Sequence, residues 1–361
     1  MTPLWLLLLP VAFCGHISPA ENQWLKDNCT QLPLGGPSGL SPIAATTPQS
    51  DFSFLAALVM LIMQNGYVVA RGEPFCTGVQ ISSRHILTAA HCFFDTSRFQ
   101  EFCAWSRSPS KLPEPFQWIE NSAVVLNSRC SDLNCWTSAP YFTPTMISLH
   151  PGYNPCSDRK LHDLALIEVH GPIPAGSGKP ICLPEPWEQL SGTMPMFSGG
   201  YGGSSYHTSS SLQYVQYVDA KEEGVLIRAP LKSQQIRHGD SGGPFFEVRQ
   251  NMKSVLRGIA STYQNETVKG HYVDLSSGAK IPFSTSEGHA VFNDVRKHLD
   301  WICEMTGVCP IQQANNNFKN QNVPVNQDTP QGQIPQFPYP YGPLIDPPAE
   351  WFIAPNHNNN V

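Results

Sequence analysis

The sequence is short of charge. Asp, Glu, Lys and Arg make up 14% of the 361 residues, and the formal net charge is −6. No long basic run occurs, and phosphate binding needs clustered Lys or Arg, so nucleic acid is not an expected partner. No apolar stretch reaches the ~20 residues that a membrane-crossing helix needs. The two longest, 4–13 and 52–63, are both too short, so no membrane contact is expected. There is no Cys-x-x-Cys pair, which argues against a zinc ribbon. No metal or organic cofactor is implied, and no internal repeat is visible.

The composition is instead apolar: 41% of residues are hydrophobic, enough for a sizeable core. The length suits one large domain or two small ones with appendages. The run LWLLLLPVAF has the position and length of a signal-peptide core, although no Lys or Arg precedes it. Ser18-Pro19-Ala20 offers small residues at a cleavage point; the alternative is a buried N-terminal strand or helix. Eleven Cys are present, and loss of Cys14 with the signal leaves an even number for disulfides in an oxidising compartment. The sequons Asn28-Cys29-Thr30 and Asn265-Glu266-Thr267 fit a secreted glycoprotein. The expected location is extracellular.

Four regions follow from the pattern along the chain. Residues 1–20 read as a signal peptide and 21–50 as an extended leader or propeptide. Residues 51–309 form the main domain. There FSFLAALVML, SRHILTAAHC, TMISLH, LALIEVH and SVLRGIAS are short apolar stretches, broken by Gly, Pro, Asn and Ser, that each suit one strand. Such spacing predicts an all-β barrel or sandwich. FNDVRKHLDWICEM differs: Val295, Leu299, Trp301, Ile302 and Met305 fall near helical spacing, with Asp294 as a cap, and predict one C-terminal helix over 292–305. Residues 310–361 are dense in Asn, Pro and Gln and read as a disordered tail. Its PQFPYPYGP stretch is either a polyproline ligand for an aromatic groove or a solvated spacer.

Three motifs appear in order: Leu87-Thr88-Ala89-Ala90-His91-Cys92, His162-Asp163-Leu164-Ala165-Leu166-Ile167, and Gly239-Asp240-Ser241-Gly242-Gly243-Pro244. A serine hydroxyl is a poor nucleophile until a neutral imidazole takes its proton during attack. The imidazole in turn needs a carboxylate to fix its tautomer and stabilise its cation. His91, Asp163 and Ser241 supply these three groups. A tight turn at the glycines can present the Gly239 and Ser241 amides to an oxyanion on a substrate carbonyl.

The order His–Asp–Ser and these motifs resemble the chymotrypsin/trypsin family of serine peptidases, over about 52–305. TAAHC with GDSGGP is a specific pair, whereas DLALI alone is weak. The resemblance implies two six-stranded antiparallel β-barrels with a C-terminal helix, and His91, Asp163 and Ser241 as catalytic triad. It also implies a secreted endopeptidase, expected as a monomer, acting on protein or peptide substrates, with an activating protease or an inhibitor as further partner. Phe75-Cys76-Thr77-Gly78 is similar to the family's Cys-Gly-Gly segment, which implies a Cys76–Cys92 disulfide. Pro180-Ile181-Cys182-Leu183-Pro184 is similar to the segment that tethers the leader, with Cys29 as partner. Ser198-Gly199-Gly200-Tyr201-Gly202 resembles a Gly-Trp-Gly turn with Tyr for Trp. Gly258-Ile259-Ala260-Ser261 resembles the strand whose serine lies beside the catalytic Asp. Asp240 matches the Asp that pairs with a freed N-terminal ammonium and shapes the oxyanion hole, a structural role.

The chain departs from the family at three places. Gln235 stands six residues before the nucleophile, where trypsin-like members carry an Asp, so cleavage after Lys or Arg is not expected. Tyr263 narrows the primary pocket, opposite Ala290 and near Ser261, unless the long span to Ala290 turns it outward. No Cys lies between Cys182 and Cys303, so the pocket lacks its usual staple. Cys103, Cys130, Cys135 and Cys156 brace an extra loop by one of three pairings, and Cys303 and Cys309 close the helix end. Zymogens of the family are cut after Arg or Lys, yet no basic residue lies between Lys26 and Arg71; Ile43, after Pro42, is the best new N-terminus. The leader, Glu21-Asn22-Gln23 to Cys29, and these departures resemble divergent trypsin-like secreted proteins of nematodes. The rival reading is a catalytically weak or inactive protease-like binding protein. A third, an interaction protein acting through the Asn/Pro/Gln tail, can coexist with either.

Overall fold

In a computed structural model of the chain, the described residues are 15–33, 52–65, 67–94, 103, 121–157, 160–190, 194–202, 212–230, 237–273, 280–311 and 352–353. For 265–273, 280–287 and 352–353 only the backbone is described. The strand-like stretches expected from the sequence are strands. The first lobe holds β1 (Leu55–Gln64), β2 (Tyr67–Gln80), β3 (His85–Thr88), β4 (Ser122–Leu126), β5 (Pro144–Leu149) and β6 (Ala165–Val169). The second holds β7 (Met196–Gly200), β8 (Gln213–Tyr217), β9 (Lys221–Glu223), β10 (Leu226–Pro230), β11 (Pro244–Val248), β12 (Ser254–Val273) and β13 (Lys280–Asp294).

Both sheets are antiparallel and have seven strands where six were expected. The first runs β14-β5-β6-β3-β2-β1-β4, and the second β8-β7-β11-β12-β13-β10-β9. The extra strand of the first sheet, β14 (Phe352–Ile353), comes from the tail and pairs with Ser148 and Ile147. A bridge from Val124 to Phe142, just ahead of β5, brings the β4 edge round to the β5 side and curls the sheet into a barrel. β1 lies between β2 and β4, and Leu55–Val59 are buried on both faces, which explains its unbroken apolar run. Its end turns at Asn65 (φ 52°), with Gln64 paired to Tyr67.

The lobes meet at an aromatic seam. The Phe54 ring lies 5.2 Å from Phe246, and Phe52 lies 5.6 Å from Tyr214. Tyr201 is buried edge-on to Trp136; its hydroxyl donates to the Ser128 carbonyl and accepts from the Ser128 amide, both at 3.2 Å. A tyrosine fits this buried site because its polar end is satisfied there.

Two expectations change. The leader is helical, not extended, over α1 (Pro19–Asn28). Ser18 caps this helix by accepting from the Glu21 amide, and Pro19 occupies the first turn, where its missing N–H is harmless. The processing point expected at Ser18-Pro19-Ala20 thus falls in the first turn of a docked helix. The Ile17 amide donates to Thr306, and Asn22 exchanges two hydrogen bonds with the Cys309 backbone. The C-terminal helix is also shorter than predicted. β13 runs to Asp294, which caps a 3-10 turn over Val295–Lys297, and α3 covers Leu299–Thr306. The α2 helix (Leu133–Ser138), capped by Asp132, was not anticipated. No helix among the described residues is long and apolar enough to cross a membrane.

Five disulfides form: Cys29–Cys182, Cys76–Cys92, Cys103–Cys156, Cys130–Cys135 and Cys303–Cys309. The first two and the last are as expected, and the two between decide among the three open pairings. Cys29–Cys182 spans 153 residues, and Thr30 and Leu32 are hydrogen-bonded to Pro180, Ser254 and Met252 alongside it. Replacing both cysteines by Ser should lower the unfolding free energy by about 2–5 kcal/mol in denaturant titrations, because a long loop is released in the unfolded chain.

Candidate functional site

Antiparallel pairing brings the first two candidates together. In the β3–β6 pair Thr88 faces Ala165, so the end of β3 and the start of β6 are neighbours. His91 lies in a 3-10 turn (Ala90–Phe93) just past β3, and Asp163 lies just before β6. Asp163 is fully buried. One carboxylate oxygen accepts from the His91 amide at 2.8 Å and the other meets His91 Nδ1 at 2.6 Å. The second oxygen also accepts from Ser261 Oγ, and the Asp163 amide donates to Asn293 Oδ1. Burial works to raise the Asp163 carboxyl, but the His91 ring, the Ser261 hydroxyl and the His91 amide outweigh it and hold it below its ordinary value.

Ser261 reaches this carboxylate because of a bulge in β12: Ala260 pairs with Phe292 and Thr262 with Val291. The nucleophile candidate lies in the turn before β11. Gly242 donates to the Ala260 carbonyl at 2.7 Å, and Ala260 donates back to Gly243. The Ser241 carbonyl accepts from the Thr77 amide at 2.8 Å, and the Cys76–Cys92 bridge ties the His91 turn to the same strand. Gly242 has φ 82°, and an added Cβ would lie 2.1 Å from Thr88 Oγ1 and 2.2 Å from the Thr77 carbonyl. Only glycine fits there.

Thr77 belongs to the Phe75-Cys76-Thr77-Gly78 segment, and nothing in the sequence marks its role. It is fully buried; its hydroxyl donates to the Gly239 carbonyl at 2.7 Å and accepts from the Tyr201 amide, while its carbonyl accepts from Thr88. Gly239 has φ 95°. Among the described residues neither the Gly239 nor the Ser241 amide donates to a backbone carbonyl outside the strands and helices. Asp240 is buried, and its two oxygens accept from the Gly202 and Arg237 amides at 2.7 and 2.8 Å. Burial pushes its carboxyl up to about 6, against the pull of those two amides.

The pocket residues are less concentrated. Gln235 lies outside the described residues, as does Ile43. Tyr263 is exposed, so its ring does not narrow a buried pocket. It pairs directly across from Ala290, which is buried in the apolar cluster with Phe245 and Phe292. Cross-strand neighbours stand side by side, so the pair does not form two facing walls. In the sequon at Asn28, the side-chain amide donates to the Trp24 carbonyl at 2.9 Å, and Asn265 lies in β12.

The model of the nematode trypsin-6-like family matches residues 3–309. Phenoloxidase-activating factor 3 of Holotrichia diomphalia is 24% identical over 246 residues, 63% of this chain and 62% of that protein. Phenoloxidase-activating factor 1 of the same species is 28% identical over 252 residues, 63% of this chain and 60% of that protein. Rat coagulation factor XII is 27% identical over 284 residues, 70% of this chain and 40% of that protein. The chain thus spans less than two thirds of the length of these relatives.

Two outcomes test the geometry. Asp163 has a depressed carboxyl, so its stabilisation is complete above the unfolded value near 3.8 and lost as pH falls through the native value below it. Ser261→Ala should weaken that depression, so acid unfolding followed by circular dichroism should begin at a higher pH than in the wild type. Thr77→Ala should cost about 1–3 kcal/mol in thermal unfolding, because it leaves the buried Gly239 carbonyl without its donor.

Proposed function

Because the chain belongs to the nematode trypsin-6-like family, divergent members of the trypsin-like serine peptidases, we propose that it is a secreted serine endopeptidase using Ser241, His91 and Asp163. The observation that carries this reading is the buried Asp163 carboxylate, which grips both the amide and the ring Nδ1 of His91. That grip fixes the tautomer in which Nδ1 bears the proton and Nε2 is the base. In the proposed reaction Ser241 Oγ attacks a peptide carbonyl carbon as His91 takes the hydroxyl proton. The Gly239 and Ser241 amides receive the oxyanion. His91 then protonates the departing amine, and water repeats the sequence to release the acyl group from Ser241. The substrate is a protein or peptide, and a neutral Gln235 disfavours Lys or Arg at the cleaved position. Five disulfides support an oxidising, extracellular setting.

One observation favours a second reading, a weak or inactive protease-like binding protein. Asp240 is satisfied by the Gly202 and Arg237 amides, and burial outweighs those bonds and the Arg237 charge to raise its carboxyl. A fluorophosphonate probe separates the two. The endopeptidase reading expects stoichiometric labelling of purified protein, abolished in Ser241→Ala and reduced by about 100-fold or more in His91→Ala. Absence of labelling in folded protein, before and after proteolytic activation, would favour the binding-protein reading. A peptide-library profile of the same sample is expected to show no Lys or Arg preference.

A further inference from the structure

A cluster of three histidines that the proposed reaction does not use lies beside Asp163. His150 follows β5, His162 immediately precedes Asp163, and His298 leads into α3. The His150 and His162 rings stack 5.0 Å apart at an interplanar angle of 7°. His298 stands edge-on to both, at 4.7 and 5.2 Å, and Trp301 closes over His150 at 4.8 Å. One ligand nitrogen from each histidine lies within 4.8 Å of the other two.

Ordinary core histidines point their nitrogens at protein partners. Here His298 Nδ1 and His150 Nε2 share one contact at 3.2 Å, and His150 Nδ1 accepts from the Gly152 amide. Nδ1 of His162 and Nε2 of His298 are buried and find no hydrogen-bond partner among the described residues. His298 is only 3% exposed. Unsatisfied buried imidazole nitrogens are costly, each ring offers a metal one nitrogen, and converging imidazoles suit a borderline divalent transition metal.

We propose that His150, His162 and His298 form a binding site for a divalent transition-metal ion of the zinc type, and that its occupation slows catalysis by displacing Asp163. Zinc–nitrogen bonds of ~2.0–2.1 Å in a tetrahedron place ligand nitrogens ~3.3 Å apart, so the widest pair here closes by at most about 1.5 Å. Water fills the fourth position. Ligation through His150 Nε2 puts that ring's proton on Nδ1, and the Gly152 amide turns to solvent at its exposed loop. His162 is the least buried of the three ligands, in a turn with φ 57° and Lys160 at φ 50°. Its shift carries the adjoining peptide, and with it the carboxylate that meets His91 at 2.6 Å.

The coupling to catalysis rests on the endopeptidase reading; the metal site does not. Calorimetric titration of chelator-treated full-length protein with zinc chloride should show one saturable site at micromolar or tighter affinity. His150→Phe and His298→Phe keep the ring packing and remove the nitrogens, and each should weaken binding by about ten-fold or more. Circular dichroism confirms their fold, and either folded variant suffices. No saturable site, or equal affinity in a folded variant, overturns the metal site. Zinc should lower the rate of fluorophosphonate labelling in the wild type and leave His150→Phe unaffected. Zinc bound at full occupancy with an unchanged labelling rate overturns the coupling. A protein that never labels, even without zinc, refutes the endopeptidase reading while the titration still decides the site.

Discussion

The arrangement depends on one buried negative charge. Asp163 has no water to solvate it, so the protein must supply donors, and it draws them from two segments. The His91 turn gives an amide and a ring nitrogen, and the β12 bulge gives the Ser261 hydroxyl. The acceptor lies just before β6, two donors lie just past the end of β3, and the third comes from a strand of the other lobe. Sliding one sheet past the other would cost that charge its Ser261 donor. The carboxylate oxygen that orients the His91 ring therefore also ties one lobe to the other through Ser261, with the aromatic seam of Phe52, Phe54, Tyr214 and Phe246 as its apolar counterpart.

The Ser241 turn is held by neutral bonds instead. Thr77 sits at its centre, donating its amide to the Ser241 carbonyl and its hydroxyl to the Gly239 carbonyl. Gly242 presses so closely on Thr77 and Thr88 that no side chain fits. Both of these bonds act on carbonyls of the turn. Asp240 completes the turn from below by accepting the Gly202 and Arg237 amides.

Much of this was legible in the sequence, and for identifiable reasons. FSFLAALVML and LALIEVH are strands because unbroken apolar runs this short fill sheets buried on both faces. Specific motifs carry His91, Asp163 and Ser261, which the structure brings into contact, and the cysteines of the Cys76–Cys92 and Cys29–Cys182 bridges. The α1 helix was missed because its apolar face is slight, with Leu25 its only buried residue, and its order comes from contacts with Cys309 and Thr306 across the fold. The end of β13 was mistaken for helix because Val295, Leu299 and Ile302 are spaced alike in either reading until Asp294 caps a tighter turn. Register, which composition does not encode, sets Tyr263 and Ala290 side by side on neighbouring strands. Thr77 gave no signal at all: a buried threonine between two loops looks like any strand residue.

The linkage from Cys29 to Cys182 also governs what a backbone cut would do. The segment from Gly15 to Leu32 is anchored at both ends, by its bonds to α3 and Cys309 and by the disulfide. A single break in the stretch joining Leu32 to Phe52 would yield a two-chain molecule of unchanged mass apart from one water. Its light chain would run with the heavy chain until a reductant freed it, so the fold would keep its N-terminal helix through any processing at that point.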